Sequence, residues 1–347
     1  MEANAGDEIR FERRGHAAIV TLNRPKALNA VTHAMILALA EKLPQWEADP
    51  DVKAVIIKAE GRAFSAGGDI MDIYQAGRAG KPPVQFFADE YRLNAAIRNF
   101  TKPYVALIDG VVMGGGVGVS FHGSHRVMGE KALFAMPEVG IGFFPDVGGS
   151  YLLSRVKGGY GLYLGLTGSR IGPGDALHAG LATHAVVSED LAAVEAAIVE
   201  TGDPDKALRD LCITPEKKLN EAVAVSMALH FSLGSMNDLI ASLTQAAGRD
   251  EFAAATLDTL AKRSPTSLHV AFRQITYGEA LTMEECMKME FRILNRMLVG
   301  HDFYEGIRAA IIDKGDTPRW QPATLAEIDE TAIDAYFDPL PGGELLI

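Results

Sequence analysis

The sequence has 347 residues, of which 48% are hydrophobic, a size that suits one large domain or one domain with a substantial extension. Its formal net charge of −12 repels polyanions at long range, and no stretch is basic enough to indicate binding to a nucleic acid or an anionic membrane. Cys212 and Cys286 have no neighbouring cysteine or histidine at metal-ligand spacing, which argues against a disulfide framework or a zinc site.

The first half of the chain alternates between predicted strands and predicted helices. An apolar run at 17–22 predicts a buried strand, and apolar residues at helical spacing over 32–46 predict the helix that follows. Further strands are predicted at 54–58, 104–108 and 125–128, and a further helix at 86–100. This alternation indicates an α/β fold in which the strands pair mostly in parallel.

From about residue 190 the sequence is rich in alanine, leucine and glutamate at helical spacing and has few β-branched runs. Helices are predicted at 191–200, 217–231, 236–247, 251–262 and 283–299. Prolines near the end predict an irregular tail. We therefore predict a core over 8–190 that carries the active site, followed by a helical C-terminal region with an irregular tail over 191–347.

The sequence also carries signals about location. The segment Met1–Glu8 lacks the apolar run of a secretory signal and the arginine-rich character of a transit peptide. The most apolar long stretch, 103–121, contains Asp109 and five glycines, so it suits a strand and a turn better than a bilayer helix. These features predict a cytoplasmic protein without a membrane role.

Two glycine-rich turns follow predicted strands, one within Arg62–Ile70 and the other at Gly114–Gly116. Each could be a simple tight connection. Together, at the ends of parallel strands, they could present backbone N–H groups to one carbonyl oxygen. The glycines lack dinucleotide-binding spacing, and the sequence contains no P-loop, zinc-protease or serine-hydrolase motif, so the hypothesis is acyl chemistry on a backbone oxyanion site.

Two carboxylates stand eight residues apart downstream of the second turn. Glu138 follows a proline among apolar residues, where burial would raise its pKa and suit it to act as a base. Asp146 precedes Val-Gly-Gly. Glu138 could instead be a carboxylate at a helix start or in a salt bridge, and Asp146 a helix N-cap. As a pair they could divide acid and base duties, or one could attack while the other holds water.

Other ionisable residues have ordinary interpretations. Glu90 falls on the predicted helix at 86–100, where a surface glutamate is the default. His122, His125 and His184 have no partner at the spacing of a catalytic triad or a metal site, so we interpret them as structural and predict no metal.

The sequence resembles the enoyl-CoA hydratase/isomerase (crotonase) superfamily over roughly residues 8–190, and within it the group of 3-hydroxyisobutyryl-CoA hydrolases. The wider resemblance is carried by the segments 23–30, 63–69, 110–116 and 136–142, and the narrower one by 104–108, 113–120, 133–138, 142–151 and 166–170. A helical extension of fitting length adds to the narrower resemblance. It implies an α/β, crotonase-like spiral of ββα turns with a helical C-terminal extension.

The resemblance also implies roles for individual residues. It places the thioester carbonyl of an acyl-CoA between the amides of Gly68 and Gly115, and Glu138 at the position of a catalytic glutamate. Asp146 stands where the hydrolase group carries an aspartate, and Glu90 matches a substrate-contacting glutamate of that group. The implied binding site for the nucleotide end of CoA consists of Lys26, Ala27, Leu28, Ser65, Ala66, Asp69 and Ile70.

One departure separates the subfamilies. Hydratases use two glutamates, the first at the position of Gly118 and the second at that of Glu138, and the absence of the first here disfavours the addition of water to a C=C bond. We therefore predict hydrolysis of a short branched 3-hydroxyacyl-CoA, 3-hydroxyisobutyryl-CoA in particular, to the free acid and CoA, as in valine catabolism. Glu138 would either attack the thioester or activate a water, and Gly115, Glu90 and Asp146 would contact the substrate. CoA is part of the substrate, so no separate cofactor is predicted.

Three alternatives remain at this stage. The chain could be an enoyl-CoA hydratase or isomerase that works with Glu138 alone. It could be an RNA-binding or scaffolding relative, which its acidic balance disfavours, or a regulator that binds CoA esters without turnover. A homo-oligomer is compatible with the resemblance, although the helical extension could cover the surface that superfamily members use to assemble.

Overall fold

The computed structural model describes residues 6–347, so Met1–Ala5 of the N-terminal segment interpreted above lie outside the described residues. The chain forms two compact units. The sheet unit comprises the described residues up to Asp69 together with Asp89–Ala135 and Arg170–Lys218, and the helical unit comprises Ile70–Ala88, Met136–Ser169 and Leu219–Ile347. The boundary near residue 190 stays a prediction.

The strands of the described chain all belong to the sheet unit. They are β1 Ile9–Arg14, β2 Ala17–Leu22, β3 Ala54–Ala59, β4 Ala63–Ser65, β5 Tyr104–Ile108, β6 Val111–Met113, β7 His125–Gly129, β8 Leu133–Ala135 and β9 His184–Val186. A six-stranded sheet has the order β1-β2-β3-β5-β7-β9, in which only the first pair is antiparallel. A three-stranded parallel sheet has the order β4-β6-β8.

The two sheets arise from a repeated chain path. The consecutive pairs β3–β4, β5–β6 and β7–β8 each place their first strand in the large sheet and their second strand in the small one. A helical segment follows each pair along the chain. The α/β class, the parallel pairing and the repeated ββα turn are thereby confirmed.

The α-helices of the described chain are α1 His33–Ala48, α2 Ile70–Arg78, α3 Val84–Arg98, α4 Gly115–Gly118, α5 Gly149–Ser154, α6 Tyr160–Thr167, α7 Pro173–His178, α8 Leu191–Thr201, α9 Pro204–Leu208, α10 Glu221–Phe231, α11 Met236–Ala246, α12 Glu251–Leu260, α13 Pro265–Gly278, α14 Met283–Met297, α15 Asp302–Ile307 and α16 Glu330–Asp334. Short 3₁₀ helices lie at Pro25–Ala27, Glu138–Ile141, Ser188–Asp190 and Leu325–Glu327, and a π-helix at Arg308–Ile312. None of these helices is long and apolar enough to cross a membrane.

The core of the sheet unit lies between one face of the large sheet and the helices α8 and α9. Ile19, Ile56 and Val105 of the sheet pack with Val194 and Ile198 of α8, and all five side chains are fully buried. Burial of each such side chain contributes about 1.5–3 kcal/mol, so this layer stabilises the large sheet.

The five predicted C-terminal helices are confirmed, although the second begins at Glu221 rather than at 217. Four further helices of this region were not predicted, namely α9, α13, α15 and α16. Helix α13 was missed, although Ser264 caps it by accepting a hydrogen bond from the amide of Ser267 and a proline opens it. Its buried face includes the polar side chains of Ser267, His269 and Gln274, which interrupt the apolar spacing that identifies a helix in sequence.

Candidate active site

The two glycine turns of the sheet unit meet. A Cβ atom built on Gly115 would lie 3.3 Å from the amide nitrogen of Gly68. Gly114, at φ 47° and ψ −124°, precedes α4, so the amide of Gly115 opens that helix without an acceptor inside it. Within the described chain, no acceptor takes a hydrogen bond from either amide. Both amides are therefore left available to donate to a ligand.

Neighbouring hydrogen bonds fix the first of these turns. The amide of Val31 donates to the carbonyl of Gly67 at 2.8 Å, and the amide of Asp69 donates to the carbonyl of Val31 at 3.1 Å. These two bonds flank Gly68 and leave its own amide unused. Gly67 has φ 120°, a conformation that side chains rarely permit, which explains the glycine at this position.

Glu90 lies beside the second turn. Its Oε1 atom is 2.8 Å from the position that a Cβ on Gly115 would take, and its side chain is 2% exposed. The interpretation of Glu90 as a surface glutamate is therefore wrong. Buried next to a free amide, its carboxylate is placed to contact whatever group that amide binds.

The loops predicted to bind CoA are also brought together within the sheet unit. The amide of Ala66 donates to the carbonyl of Leu28 at 3.0 Å, and Arg24 pairs with Asp69 at 2.9 Å. Lys26 is exposed on the 3₁₀ helix Pro25–Ala27. The other predicted members in this unit are Ala27 and Ser65, whereas Ile70 begins α2 in the helical unit.

The helical unit holds the two predicted carboxylates, and both are buried. Glu138 is 7% exposed and starts a 3₁₀ helix, as one of its ordinary interpretations expected. Its Oε2 atom has no hydrogen-bond partner within the described chain. Burial raises the pKa of Glu138 well above its ordinary value, and the nearby carboxylates of Asp146 and Glu290 raise it further. The ionised form of Glu138 is thus a stronger base than that of an exposed glutamate. Within the described residues Glu138 forms no salt bridge, so that interpretation is wrong.

Asp146 is 5% exposed and precedes α5. The N-cap of α5 is Gly148, two residues after Asp146, so the interpretation of Asp146 as the N-cap residue is wrong. Its backbone carbonyl instead closes a turn by accepting from the amide of Gly149 at 2.7 Å.

A third buried carboxylate in the helical unit, Glu290 of α14, was missed in the sequence. It is fully buried and accepts hydrogen bonds from the amides of Gly148 and Ser150, each at 2.9 Å, and from the Ser150 hydroxyl at 2.6 Å. A signal was available, because Glu290 stands at helical spacing from Met287 and Ile293 on the apolar face of an amphipathic helix. A charge on such a face indicates a specific partner.

The environment of Glu290 predicts how stability depends on pH. Burial raises its pKa to about 8, the charge of Asp146 adds to the rise, and the hydrogen bonds from Ser150 and Gly148 oppose it. Folding therefore favours the protonated carboxyl. The stabilisation that comes from the protonated carboxyl of Glu290 is complete below the ordinary glutamate pKa of about 4.5. It is lost as the pH rises to about 8.

We therefore compare the free energies of unfolding of the wild type and of Glu290→Gln. The stability advantage of the wild type over the variant should fall as the pH rises from about 4.5 to about 8. The slope should be on the order of 1 kcal/mol per pH unit, because the unfolded chain binds one proton fewer than the folded one. Urea unfolding of both proteins between pH 5 and pH 8 measures the difference. A difference that stays constant with pH would contradict the prediction.

Comparisons with known proteins agree with this architecture. A family model described as enoyl-CoA hydratase/isomerase matches residues 17–337. The chain is 45% identical over 358 residues to a 3-hydroxyisobutyryl-CoA hydrolase, mitochondrial, of Danio rerio, over 99% of this chain and 93% of that protein. A crystal structure of a carnitinyl-CoA dehydratase from Mycobacterium thermoresistibile matches with a TM-score of 0.92 and 40% identity, over 98% of this chain and 99% of that chain. A crystal structure of an enoyl-CoA hydratase from Rhodobacter sphaeroides 2.4.1 matches with a TM-score of 0.90 and 37% identity, over 98% and 100% of the two chains.

These comparisons confirm the crotonase-like fold with its helical C-terminal region. They also extend the resemblance, because the family match continues through the C-terminal helices to residue 337. The predicted cytoplasmic location is not confirmed, since the name of the relative from Danio rerio includes the word mitochondrial. The chain belongs to the enoyl-CoA hydratase/isomerase family.

Proposed function

We propose that the protein hydrolyses the thioester of a short branched 3-hydroxyacyl-CoA, 3-hydroxyisobutyryl-CoA in particular, to the free hydroxy acid and CoA. The observation that carries the proposal is the close approach of the two glycine turns, whose Gly68 and Gly115 amides have no acceptor within the described chain. Two such donors suit an oxygen that gains negative charge, as a thioester carbonyl does when a nucleophile adds to it. The likeness to a 3-hydroxyisobutyryl-CoA hydrolase over nearly the whole chain supports the choice of acyl group.

In the proposed reaction, the C–S bond of the thioester breaks and a C–O bond forms with oxygen that comes ultimately from water. The amides of Gly68 and Gly115 hold the oxyanion of the tetrahedral intermediate. Glu138 either attacks the carbonyl carbon to give an anhydride or takes a proton from the attacking water. Burial and the nearby carboxylates raise the pKa of Glu138, so its ionised form holds a proton more strongly, which supports the second role.

The remaining site residues bind and orient the substrate in this proposal. Glu90 lines the acyl pocket beside Gly115, and Asp146 positions the substrate hydroxyl or the water. The loops around Leu28 and Ala66 hold the nucleotide end of CoA through main-chain groups, which lets an acidic protein bind a phosphorylated ligand. We propose no cofactor besides the CoA of the substrate, and homo-oligomer formation and a cytoplasmic location remain predictions.

Hydration or isomerisation of an enoyl-CoA is the second candidate, and the names of the two structural relatives favour it. Against it stands Gly118, which occupies the position of the first of the two hydratase glutamates. With that carboxylate absent and a different one supplied at Asp146, adding water to a C=C bond is disfavoured relative to hydrolysis of the thioester.

A thiol-release assay over a small panel of acyl-CoA esters separates the two candidates. We expect the highest kcat/KM for 3-hydroxyisobutyryl-CoA, with a loss of roughly 10-fold or more when the branching methyl group is absent, as in 3-hydroxypropionyl-CoA. Crotonyl-CoA should keep its conjugated absorbance. Loss of that absorbance without thiol release, faster than thiol release from any hydroxyacyl-CoA, would favour the hydratase instead.

A further inference from the structure

The turn that carries Asp146 is held from both ends by buried side chains of two C-terminal helices of the helical unit. Before Asp146, the carbonyl of Pro145 accepts a hydrogen bond of 2.5 Å from Nε2 of Gln274, a fully buried residue of α13. After Asp146, Glu290 of α14 accepts the three hydrogen bonds from Gly148 and Ser150 described above.

The turn needs such support. Val147, next to Asp146, has φ 49°, in the left-handed region that a β-branched residue rarely enters. The backbone preference of Val147 therefore disfavours this conformation, and contacts with residues outside the turn have to stabilise it. The direction of the Asp146 side chain depends on the backbone at this point.

We propose that Glu290 and Gln274 are positioning residues that fix the orientation of the Asp146 carboxylate for thioester hydrolysis. The proposal rests on the proposed function, in which Asp146 orients the substrate hydroxyl or the water. It gives the C-terminal helices a part in the reaction although neither side chain touches the substrate.

Glu290 suits this role better than a glutamine would. Its two oxygens serve three donors, with Gly148 on one oxygen and both donors of Ser150 on the other. A glutamine has a single acceptor oxygen, so its NH₂ group would face one of the two backbone amides. Glu290→Gln therefore keeps the size of the side chain and disturbs one end of the turn. Gln274→Leu removes the bond to Pro145 without adding a charge, and it disturbs the other end independently.

A double-mutant cycle with Asp146→Asn tests the proposal in the full-length protein. We expect Glu290→Gln and Gln274→Leu each to lower kcat for thiol release by about 10- to 100-fold, with KM changed less than threefold. In the Asp146→Asn background, either change should lower kcat less than threefold further, because the group that it positions is already disabled. Glu285→Gln is the matched control, since Glu285 is an exposed glutamate of the same helix and a glutamine keeps its capping role.

The outcomes separate the levels of the hypothesis. If Glu290→Gln or Gln274→Leu lowers kcat by the same factor with and without Asp146→Asn, the positioning role is overturned while Asp146 stays in the mechanism. Unchanged kcat in the single variants would have the same meaning. Full activity of Asp146→Asn would overturn both roles together. Absence of thiol release by the wild type from every ester in the panel would instead refute the proposed function. Circular dichroism of each variant identifies any that fails to fold, and the two ends of the turn give independent measurements.

Discussion

Replacing Glu138 with glutamine is expected to lower kcat for thioester hydrolysis by about 10³-fold or more. Glutamine has nearly the same shape but can neither take a proton from water nor attack a carbonyl carbon. The folded protein should not suffer, because burial and the nearby carboxylates of Asp146 and Glu290 already disfavour charge on Glu138. The loss would therefore report on chemistry rather than on folding.

Thiol release measures this loss, and titration calorimetry with a CoA ester measures binding separately. We expect the dissociation constant of Glu138→Gln to stay within about threefold of the wild-type value, since the proposed CoA contacts come from other residues. Glu285→Gln, the same chemical change on an exposed position of α14, serves as the control for expression and assay. A Glu138→Gln protein that keeps most of its activity would remove this residue from the mechanism.

Hydrolysis in ¹⁸O-labelled water distinguishes the two roles that remain for Glu138. Under single-turnover conditions, an anhydride between Glu138 and the acyl group can pass the label into the enzyme carboxylate. Activation of water places the label only in the released acid. Mass analysis of the peptide that contains Glu138 therefore assigns its role.

The sequence predicted the long apolar elements well and the short ones poorly. Strands β2 and β5 were predicted with their observed bounds, because continuous apolar runs end at polar or turn residues on both sides. Strands β4, β6 and β8 have three residues each, too few for any periodicity to appear. Their sheet is a product of tertiary structure, since each strand pairs with a segment far away in the chain.

In the candidate site, too, the sequence predicted features that depend on neighbouring residues and missed features that depend on residues far away in the chain. The glycine turns were found because left-handed backbone requires glycine locally, as at Gly67 and Gly114. The burial of Glu90 was not predictable from its helix, because it depends on the packing of the second turn beside it. Glu290 carried a visible signal as a charge on an apolar face, whereas nothing near Gln274 in the sequence points to Pro145, 129 residues away.

Replacing Gly115 with alanine is the second change with a large expected effect, a loss of about 10²–10³-fold in kcat. An oxygen that accepts from both amides has to lie about 2.7–3.1 Å from each nitrogen. The added methyl group would stand 3.3 Å from the amide nitrogen of Gly68 and next to that of Gly115, in the space this oxygen needs. The thioester carbonyl could then reach neither donor with good geometry.

The same methyl group would approach Oε1 of Glu90 to 2.8 Å, so displacement of that side chain is a second route to lost activity. The double variant with Glu90→Ala separates the two routes. We expect Gly115→Ala to cost at least about 10²-fold in kcat in that background too, because the obstruction of the two amides remains when the Glu90 carboxylate is gone.

Gly172→Ala is the control for the alanine substitution, since a Cβ at Gly172 would meet no atom within 4 Å and its φ of −89° suits any residue. Its kcat should equal that of the wild type, as measured by thiol release. If Gly115→Ala stays within about threefold of the wild type, or if its loss disappears in the Glu90→Ala background, the two amides do not hold the reacting oxygen. The glycine turns would then be tight connections, and the reaction would have to stabilise its charge elsewhere.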